Sequence, residues 1–343
     1  MRVTARLAGA LLLGAMTCGL AAPAYADQEV FRWQDPAIAE SSGLVVVDGR
    51  FVTVNDSGNS ADLYVVDPAT GEDVDVVSWA KNQVDVEALA PGPDDSVWVG
   101  DIGDNNAVRK RITVTSVPLD GSSPTRYVLR YPGGTPHNAE TLMAHPQTGQ
   151  LFIVTKSPEG GEVFAAPETL DAGRPNELTS VGSVNGLLTD GAFWPDGEHV
   201  LLRGYGRAFL YTFPELKILG SWALPSQPQG EAIAVTPDEQ IYLSSEGVGT
   251  PVWQVDLPED LAEKMAGESS TSPSTSPSPS ESQSAEPSPS DTASPEPDTI
   301  TDLETADVGG VSLGAVLGVA GIAVGVIGGG VWWWRQRSRG DGR

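Results

Sequence analysis

The chain has 343 residues, and its 46 acidic against 20 basic residues give a formal net charge of −26. This sign excludes nucleic acid as a partner, because binding a polyanion needs a basic surface; it favours solubility, cation binding or both. The only cysteine, Cys18, lies in a segment that we expect to be removed, so the mature chain has no disulfide, zinc–thiolate site or cysteine nucleophile.

Residues 1–26 have the composition of a secretory signal peptide. Arg2 and Arg6 precede an apolar stretch, and Ala24-Tyr25-Ala26 matches an A-x-A cleavage signal before Asp27. We therefore expect the mature chain to begin at Asp27 and to be exported. Without disulfides it must be held by its core, for which about 230 further residues are enough.

Residues 27–258 consist of short strand-like runs. These runs alternate with turn signals such as Asp48-Gly49 and Pro195-Asp196-Gly197, and helical periodicity is absent from the pattern. Five units each open on an acidic residue next to an apolar run, at the spacing of four-stranded propeller blades. The openers are Glu40, Glu87, Glu140, Asp190 and Glu231.

The sequence therefore predicts an all-β fold, a β-propeller of about five four-stranded blades. Six blades are the alternative, if the long second or third unit hides another. The run Glu29–Gln34 has no repeat of its own, and we expect it to complete the last blade and close the ring. Closure also explains how so many short strands avoid exposed edges.

The composition changes after Pro258. Segment 259–307 starts with a short amphipathic stretch and continues rich in Ser, Pro and acid, which predicts a disordered stalk. Residues 308–334 carry no charge, are long enough to span a bilayer, and end in three tryptophans. The arginines of 335–343 place that tail in the cytoplasm, so we predict a single-pass type I protein of the cell membrane with the propeller outside the cell.

The predicted membrane span carries glycines at four-residue spacing. Such a face lets two helices approach closely, which predicts self-association. A glycine-rich anchor without a partner helix is the alternative. The residues concerned are Gly314, Gly318, Gly321 and Gly325.

Blade geometry predicts where the chemistry lies. The innermost strand of a blade lines the channel and the second strand returns antiparallel beside it, so the start of the first and the end of the second share one face. We expect the five openers to converge there with second-strand ends. Those ends are Asn55-Asp56-Ser57, the loop with Asp101, Asp104 and Asn105, then Lys156, Arg203 and Ser245-Glu246.

Carboxylates crowded into one channel ionise at low cost only beside a cation or a proton. Oxygen ligands without cysteine favour a hard divalent cation, calcium first and magnesium or manganese next. The alternative is that these side chains cap strands or lie in water at the axis. The candidate metal ligands are Glu40, Glu87, Asp101, Asp104, Asn105, Glu140, Asp190 and Glu231.

Other residues are candidates for binding an anion or for catalysis. Lys156 and Arg203 are positioned to bind a phosphate or carboxylate. Glu87, Glu140 and His137 are the candidate catalytic residues, with His137 the candidate imidazole base.

Several short strings together resemble a known family. They are ESSGL (40–44), NDSGN (55–59), DVEALA (85–90), GDIGDN (100–105), NAETL (138–142), GEAIAV (230–235) and SSEG (244–247). The pattern resembles the bacterial phytase-like propellers, the group named for an esterase-like activity, and more distantly the gluconolactonase/regucalcin propellers. This resemblance implies a bacterial protein with a divalent cation in an acidic channel and hydrolysis of a phosphoester or carboxylic ester.

The resemblance also implies ligand positions. Glu40, Glu87, Glu140 and Glu231 would be channel ligands, with the Asp101–Asn105 loop beside them. The chain departs from the pattern at Asp190, where the fourth unit lacks glutamate, and in having only two basic residues at the channel face.

Two functions are consistent with the sequence. The first is a surface-anchored hydrolase that uses a cation-activated water. The second is a non-catalytic propeller, displayed on a stalk, that binds a small molecule, glycan or protein through its loops. A fold alone does not decide between them.

Overall fold

The computed structural model describes residues 27–269, which form a five-bladed β-propeller. The predicted signal peptide, the rest of the predicted stalk, the predicted span 308–334 with its glycines, and the tail 335–343 lie outside the described residues. From Asp27 to Ser269, the chain contains no helix long and apolar enough to cross a membrane.

Strands run outward from the channel in each blade. Strand β1 is Gln28–Arg32. The first blade contains β2 (Ser41–Val47), β3 (Arg50–Asn55), β4 (Asp62–Val66) and β5 (Asp73–Ser78). The second contains β6 (Val86–Pro91), β7 (Ser96–Asp101), β8 (Ile112–Pro118) and β9 (Thr125–Arg130).

The next segment contains β10 (Ala139–Ala144), β11 (Leu151–Thr155), β12 (Gly161–Ala165), β13 (Asn176–Glu177) and β14 (Thr179–Val184). Of these, β13 pairs in parallel with β9 at the edge of the second blade, and the other four form the third blade. The fourth blade contains β15 (Leu188–Phe193), β16 (His199–Gly204), β17 (Arg207–Thr212) and β18 (Ile218–Ala223). The fifth contains β19 (Gly230–Val235), β20 (Ile241–Ser245) and β21 (Pro251–Val255).

The N-terminal strand closes the ring. Strand β1 pairs antiparallel with β21 as the outermost strand of the fifth blade, with Gln28 opposite Gln254. Each innermost strand contacts the next one around the axis, and β19 returns to contact β2. The predicted five blades and the predicted closure by the N-terminal run are both confirmed.

Burial follows the position of a strand in its blade. The second strands are covered on both faces by neighbouring blades, and β7 is buried along its whole length. The outermost strands face water, and β5 is mostly exposed. The hairpin between β2 and β3 turns at Asp48 and Gly49, with φ of 46° and 71°. Such positive angles suit the two-residue turns that match strand twist.

Five hydrophobic cores lie between successive blades. One joins the second and third blades around Ile112, Leu142 and Phe164. Another joins the fifth and first blades around Phe31 and Phe51, so the interface that closes the ring also has a hydrophobic core. Each of these five cores is formed by residues of the segment 27–269.

Two helical segments accompany the strands in the described part of the chain. A 3-10 turn spans Pro132–Gly134, and α1 spans Glu259–Ser269. Leu261 and Met265 of α1 are buried in the core between the fourth and fifth blades. The helix contacts β18, where a Cβ at Gly220 would lie 2.4 Å from Leu261 Cδ2. The folded unit thus extends to Ser269, past residue 259, where the sequence predicts the stalk to begin.

Candidate functional site

The starts of the innermost strands and the ends of the second strands lie at one face, which we call the channel mouth. Every innermost strand carries a bulge here, where its register shifts against the second strand. A bulge frees one residue from the ladder and re-aims its side chain. The residues at the five bulges are Ser42, Glu87, Glu140, Thr189 and Glu231, the last together with Ala232.

Three bulges hold a carboxylate and two hold a hydroxyl. Glu87, Glu140 and Glu231 are each less than a tenth exposed. Ser42 donates through Oγ to the carbonyl of Val86 at 3.2 Å. Thr189 donates through Oγ1 to the carbonyl of Glu231 at 2.9 Å. The two hydroxyls therefore tie their blades to the following blade.

Two predicted openers do not occupy bulge positions. Glu40 lies two residues before Ser42, and its Oε2 accepts a hydrogen bond from Asn59 Nδ2 at 2.6 Å. Asp190 is fully buried, and its Oδ2 accepts a hydrogen bond from the Ile233 amide at 2.9 Å. Asp190 therefore links the fourth and fifth blades, which is a correction to its predicted role as a channel ligand.

Arg203, predicted to bind an anion, is also fully buried. Its Nη1 donates to the carbonyls of Ala232 at 2.9 Å and Ser244 at 3.2 Å, and its Nη2 donates to Gln227 Oε1 at 3.1 Å. Burial lowers the pKa of Arg203 to about 10, against the raising effect of Glu231 and Asp190. The guanidinium thus joins two blades through their carbonyls, and the prediction of anion binding is wrong for this residue.

The strongest candidate site is a group of three carboxylates, Asp56, Asp85 and Glu87, which we call the carboxylate triad. One ligand oxygen from each lies within 4.8 Å of the other two. Asp56 follows the end of β3, and Asp85 and Glu87 open β6, so the triad spans the first two blades. Among the residues that the structure describes, none donates a hydrogen bond to the carboxylate of Glu87, which is 8% exposed.

Burial, followed by the charges of nearby carboxylates, raises the pKa of each triad member. For Glu87 the pKa lies well above its usual value, because of burial first and then the charges of Glu140, Asp56 and Asp85. Burial also raises the pKa of Asp56 and of Asp85, although Ser57 hydrogen bonds oppose both shifts. A positive charge at this point would relieve all three shifts together.

The Asp101–Asn105 loop forms a wall of the triad through its backbone. Both carboxylates of this loop are engaged elsewhere: Asp101 accepts hydrogen bonds from the amide of Asp85 and from Arg109 Nη2, and Asp104 accepts one from the amide of Arg109. Asn105 Oδ1 accepts a hydrogen bond from Asn138. The side chains of this loop that were predicted to be cation ligands therefore hold the loop in its conformation.

Gly103 is the part of that loop nearest the triad. A Cβ at Gly103 would lie 2.4 Å from Glu87 Oε1 and 2.5 Å from Asp85 Oδ2. Its amide donates to the carbonyl of Asp85 at 3.0 Å. Only a residue without a side chain allows the loop to pass so close to the two carboxylates.

The only basic side chain that pairs with a bulge carboxylate among the described residues is Lys156. Its ammonium forms an ion pair with Glu140 and donates to the hydroxyl of Tyr205 at 2.9 Å. Burial acts to lower the pKa of Lys156, but the Glu140 carboxylate raises it above its usual value. Burial raises the pKa of Glu140 to about 7 in spite of this partner.

The fifth blade contributes a second pair of carboxylates. Gln229 Nε2 donates to Glu231 Oε1 at 2.9 Å and to Glu246 Oε1 at 2.6 Å. Burial, followed by the charges of Glu231, Asp56 and Glu40, raises the pKa of Glu246 to about 8. The negative field of the mouth therefore extends from the triad across to the fifth blade.

His137 does not join these groups. Its ring packs edge-on against Tyr131 at 4.7 Å and against Phe164 at 5.3 Å between centroids. This packing belongs to the interface between the second and third blades. The structure thus places the predicted imidazole base, His137, among aromatic rings. Within the described residues, it makes no hydrogen bond to a mouth carboxylate.

Asp56 and Glu246 lie at the mouth, as their positions at second-strand ends predict, whereas Asp85 and Tyr205 were not identified as site residues from the sequence. Asp56, Asp85, Glu246 and Tyr205 all follow or precede a strand end at the mouth face. The signal was present in the blade geometry, which places both kinds of strand end together. In the case of Asp85, alternation along a strand also puts residues i and i+2 on one side, so Asp85 accompanies Glu87.

The arrangement suits a hard cation. The mouth offers oxygen atoms from at least six carboxyl groups against one ammonium. Oxygen-only ligand sets of this kind are those of calcium, magnesium and manganese. Chemically, the site can hold a cation at the triad, share protons among carboxyls that titrate near neutrality, and present a lysine ammonium beside them.

Comparisons with known proteins add little beyond the fold. No protein-family model matches the chain, and no curated protein matches it. Among solved structures, a gluconolactonase from Xanthomonas campestris is similar with a TM-score of 0.43 and 15% identity, over 64% of this chain and 72% of that one.

Two further structures show similarity of the same order. The nidogen–laminin complex has a TM-score of 0.40 and 15% identity, over 61% of this chain and 73% of that one. Hydrazine synthase from Kuenenia stuttgartiensis has a TM-score of 0.37 and 14% identity, over 61% and 56%. Similarity at this level carries no conclusion on activity, so the assignment of the fold rests on the strand order itself.

Proposed function

We propose that this domain binds a divalent cation at the channel mouth, calcium first, and that the bound cation serves an ester or phosphoester hydrolase. The observation that carries the proposal is the carboxylate of Glu87. It is nearly buried, lies within 4.8 Å of the carboxylates of Asp56 and Asp85, and accepts no hydrogen bond from the residues described. Three carboxylates held this close together are costly to ionise unless a cation or a proton offsets their repulsion.

A cation would offset the repulsion among all three carboxylates. Calcium takes oxygen ligands at 2.3–2.6 Å with flexible geometry, and three carboxylate oxygens within 4.8 Å of one another can all reach one ion. The triad replaces the larger ligand set expected from the sequence. Asp101, Asp104 and Asn105 hold the surrounding loop, and Asp190 holds the blades.

The hydrolytic part of the proposal rests on the groups beside the triad. A bound divalent cation polarises a carbonyl or phosphoryl oxygen as a Lewis acid. Glu140, with a pKa near 7, can release and take up a proton at neutral pH, as a general acid or base must. Lys156 holds Glu140 in place and carries positive charge toward an anionic group.

The proposal also includes the cellular location of the domain. The predicted signal peptide 1–26, the Ser/Pro/acid-rich stalk and the uncharged stretch 308–334 support display on the outer side of a bacterial cell membrane. Self-association through the glycines of that stretch stays a prediction.

A non-catalytic binding propeller is the second candidate. It is favoured by the exposed apolar side chains, of which more lie in the connections at the mouth than on the outer strands. A surface of this composition serves recognition whether or not a bond is broken.

Calcium titration of the 27–269 domain tests the cation site. We expect calcium to raise the melting temperature of the wild type and of Glu198→Gln, a control at an exposed carboxylate on the opposite face. Asp85→Asn should lose most of the calcium response. Absence of a calcium response in the wild type would refute the cation site.

Hydrolysis of p-nitrophenyl acetate and p-nitrophenyl phosphate, with and without chelator, tests the reaction. The proposal expects turnover of at least one ester that chelator removes and Glu140→Gln reduces. A domain that binds calcium but hydrolyses neither ester would support the non-catalytic alternative.

A further inference from the structure

The exposed apolar side chains of the described residues fall into two groups. Nine large ones are exposed, and four of them lie on the outer strands β5, β14 and β18. The other five lie in connections at the channel mouth, and we call them the apolar lip. They are Val84, Val108, Leu187, Tyr205 and Val248.

Single exposed apolar residues are ordinary on protein surfaces. A set of five on the one face that also holds the carboxylate triad is different, because apolar side chains beside a few polar groups are typical of ligand sites. The lip is drawn from the second, fourth and fifth blades, so it borders the mouth on several sides.

Two lip residues adjoin charged groups of the mouth, and a third lies beside an innermost strand. Val84 is 62% exposed and precedes Asp85 of the triad. Leu187 precedes the start of β15 at the channel wall. Tyr205 accepts the Lys156 hydrogen bond through its hydroxyl, and the residue as a whole is 41% exposed. Apolar surface therefore begins where the charged groups end.

The charged centre calls for a ligand with oxygen atoms. An ammonium has three N–H donors, and two of those of Lys156 go to Glu140 and Tyr205, which are its side-chain partners among the described residues. Calcium takes six to eight oxygen ligands, more than the triad offers from one oxygen each. Both sites are completed by an oxygen-bearing head group.

We propose that the channel mouth takes an amphipathic ligand, an aliphatic carboxylate, either free or as the acyl part of an ester. Its oxygens lie at the cation and Lys156, and its chain lies across the apolar lip. This inference rests on the cation site proposed above. It disfavours polyhydroxylated ligands, whose hydroxyl groups would lose hydrogen bonds to water against the lip.

Calorimetric titration of the calcium-loaded 27–269 domain with acetate, butanoate, octanoate and gluconate tests the inference. Octanoate should bind on the order of tenfold more tightly than butanoate, since four partly buried methylenes are added. Gluconate should bind no more tightly than acetate.

A pair of matched variants locates the chain. Val84→Ser combined with Leu187→Ser should reduce the difference between octanoate and butanoate to about threefold or less, with the calcium response unchanged. Val74→Ser combined with Val76→Ser, at exposed positions of the outer strand β5, should leave the series as in the wild type.

Each outcome separates this inference from the cation site. A normal calcium response with no dependence on chain length, or with a length dependence that the lip variant does not alter, overturns the amphipathic ligand and leaves the cation site standing. Octanoate binding that persists in chelator overturns the role of the cation in holding the head group. Octylamine that binds with the same length dependence and competes with calcium would show that the mouth takes an amine, and would also overturn the proposal.

Discussion

Replacement of Glu87 by glutamine should stabilise the cation-free domain and abolish its response to calcium. Glutamine has nearly the same shape as glutamate and carries no charge, so the variant removes the repulsion within the triad. It equally removes a ligand that a cation needs. The variant should gain stability without a cation and lose the stabilisation that calcium gives. This combination is expected only of a carboxylate that is crowded by like charges and is also a cation ligand.

The size of the first effect follows from the geometry. Two unit charges 4.8 Å apart repel by about 3.5 kcal/mol at an effective dielectric constant of about 20. Repulsion from two such neighbours would destabilise ionised Glu87 by about 7 kcal/mol, so protonation of its carboxyl is the less costly alternative. Protonating a carboxyl whose unfolded pKa is about 4.5 costs about 3 kcal/mol at pH 7. This free energy is the upper bound on the stability that Glu87→Gln can gain.

The sign of the pH dependence follows from the raised pKa of Glu87. An acid whose pKa is raised by folding contributes stability at low pH and loses it as the pH rises. Glutamine removes that loss, so the gain in the unfolding free energy should reach about 3 kcal/mol at pH 7 and less than about 1 kcal/mol at pH 5.

Urea denaturation in chelator at the two pH values measures this gain, with Glu198→Gln as the control. Repetition in calcium should raise the stability of the wild type and of the control and leave Glu87→Gln unchanged. Destabilisation of the chelated variant at pH 7, or an equal gain at both pH values, would refute the reasoning from charge crowding.

Three further predictions use other parts of the structure. In chelator, titration of Glu140 should lower the unfolding free energy of the wild type by about 3 kcal/mol as the pH rises from about 4.5 through about 7. The reason is that the folded carboxyl, with its pKa near 7, keeps a proton that the unfolded carboxyl releases. A urea denaturation series over this pH range measures the effect, and a flat or rising curve would contradict it. Arg203→Met should cost about 3–5 kcal/mol on unfolding by urea, because it orphans two buried carbonyls, whereas exposed Arg207→Met should cost less than about 0.5 kcal/mol. Gly103→Ala should weaken calcium binding on the order of tenfold in calorimetry by displacing two ligand carboxylates, whereas Gly206→Ala, with nothing within 4 Å of its Cβ, should not.

The fold could be predicted well from the sequence because its signals are local. Turn residues such as Asp48-Gly49, runs of strand-forming residues and the spacing of the openers each depend on a few neighbours in the chain. The strand within Glu29–Gln34 was identified by having no repeat of its own. Only the last helix, Glu259–Ser269, was assigned to the stalk, because its burial depends on Gly220 of the fourth blade.

The site could be predicted only in part, because side-chain direction depends on distant residues. Glu87, Glu140 and Glu231 lie at the mouth as expected. Lys156 and Arg203 both follow or end a second strand, yet the guanidinium turns into the interface of two blades. Gly230 provides the space, since a Cβ there would lie 1.9 Å from Arg203 Nη2. No sequence pattern links positions 203 and 230.

The same limit applies to the bulges. An acidic residue lies near the start of every innermost strand, but the sequence does not show which residue the bulge holds. In the first and fourth blades it holds Ser42 and Thr189, so Glu40 and Asp190 take other roles. The second-strand ends place Asp56 at the mouth, but no sequence pattern shows that Asp56 and Asp85 lie within reach of Glu87.

The pairing of Gln28 with Gln254 also sets the order of folding. Strand β1 is the first part of the domain to be synthesised, and its partner β21 is nearly the last. Contacts between such distant parts of a chain form slowly, because the intervening loop must be closed first. The ring can therefore form only after almost the whole domain has left the ribosome, and until then the edge of β1 has no partner. Such a domain is suited to folding as a finished chain, which is the state in which a secretory leader would deliver it.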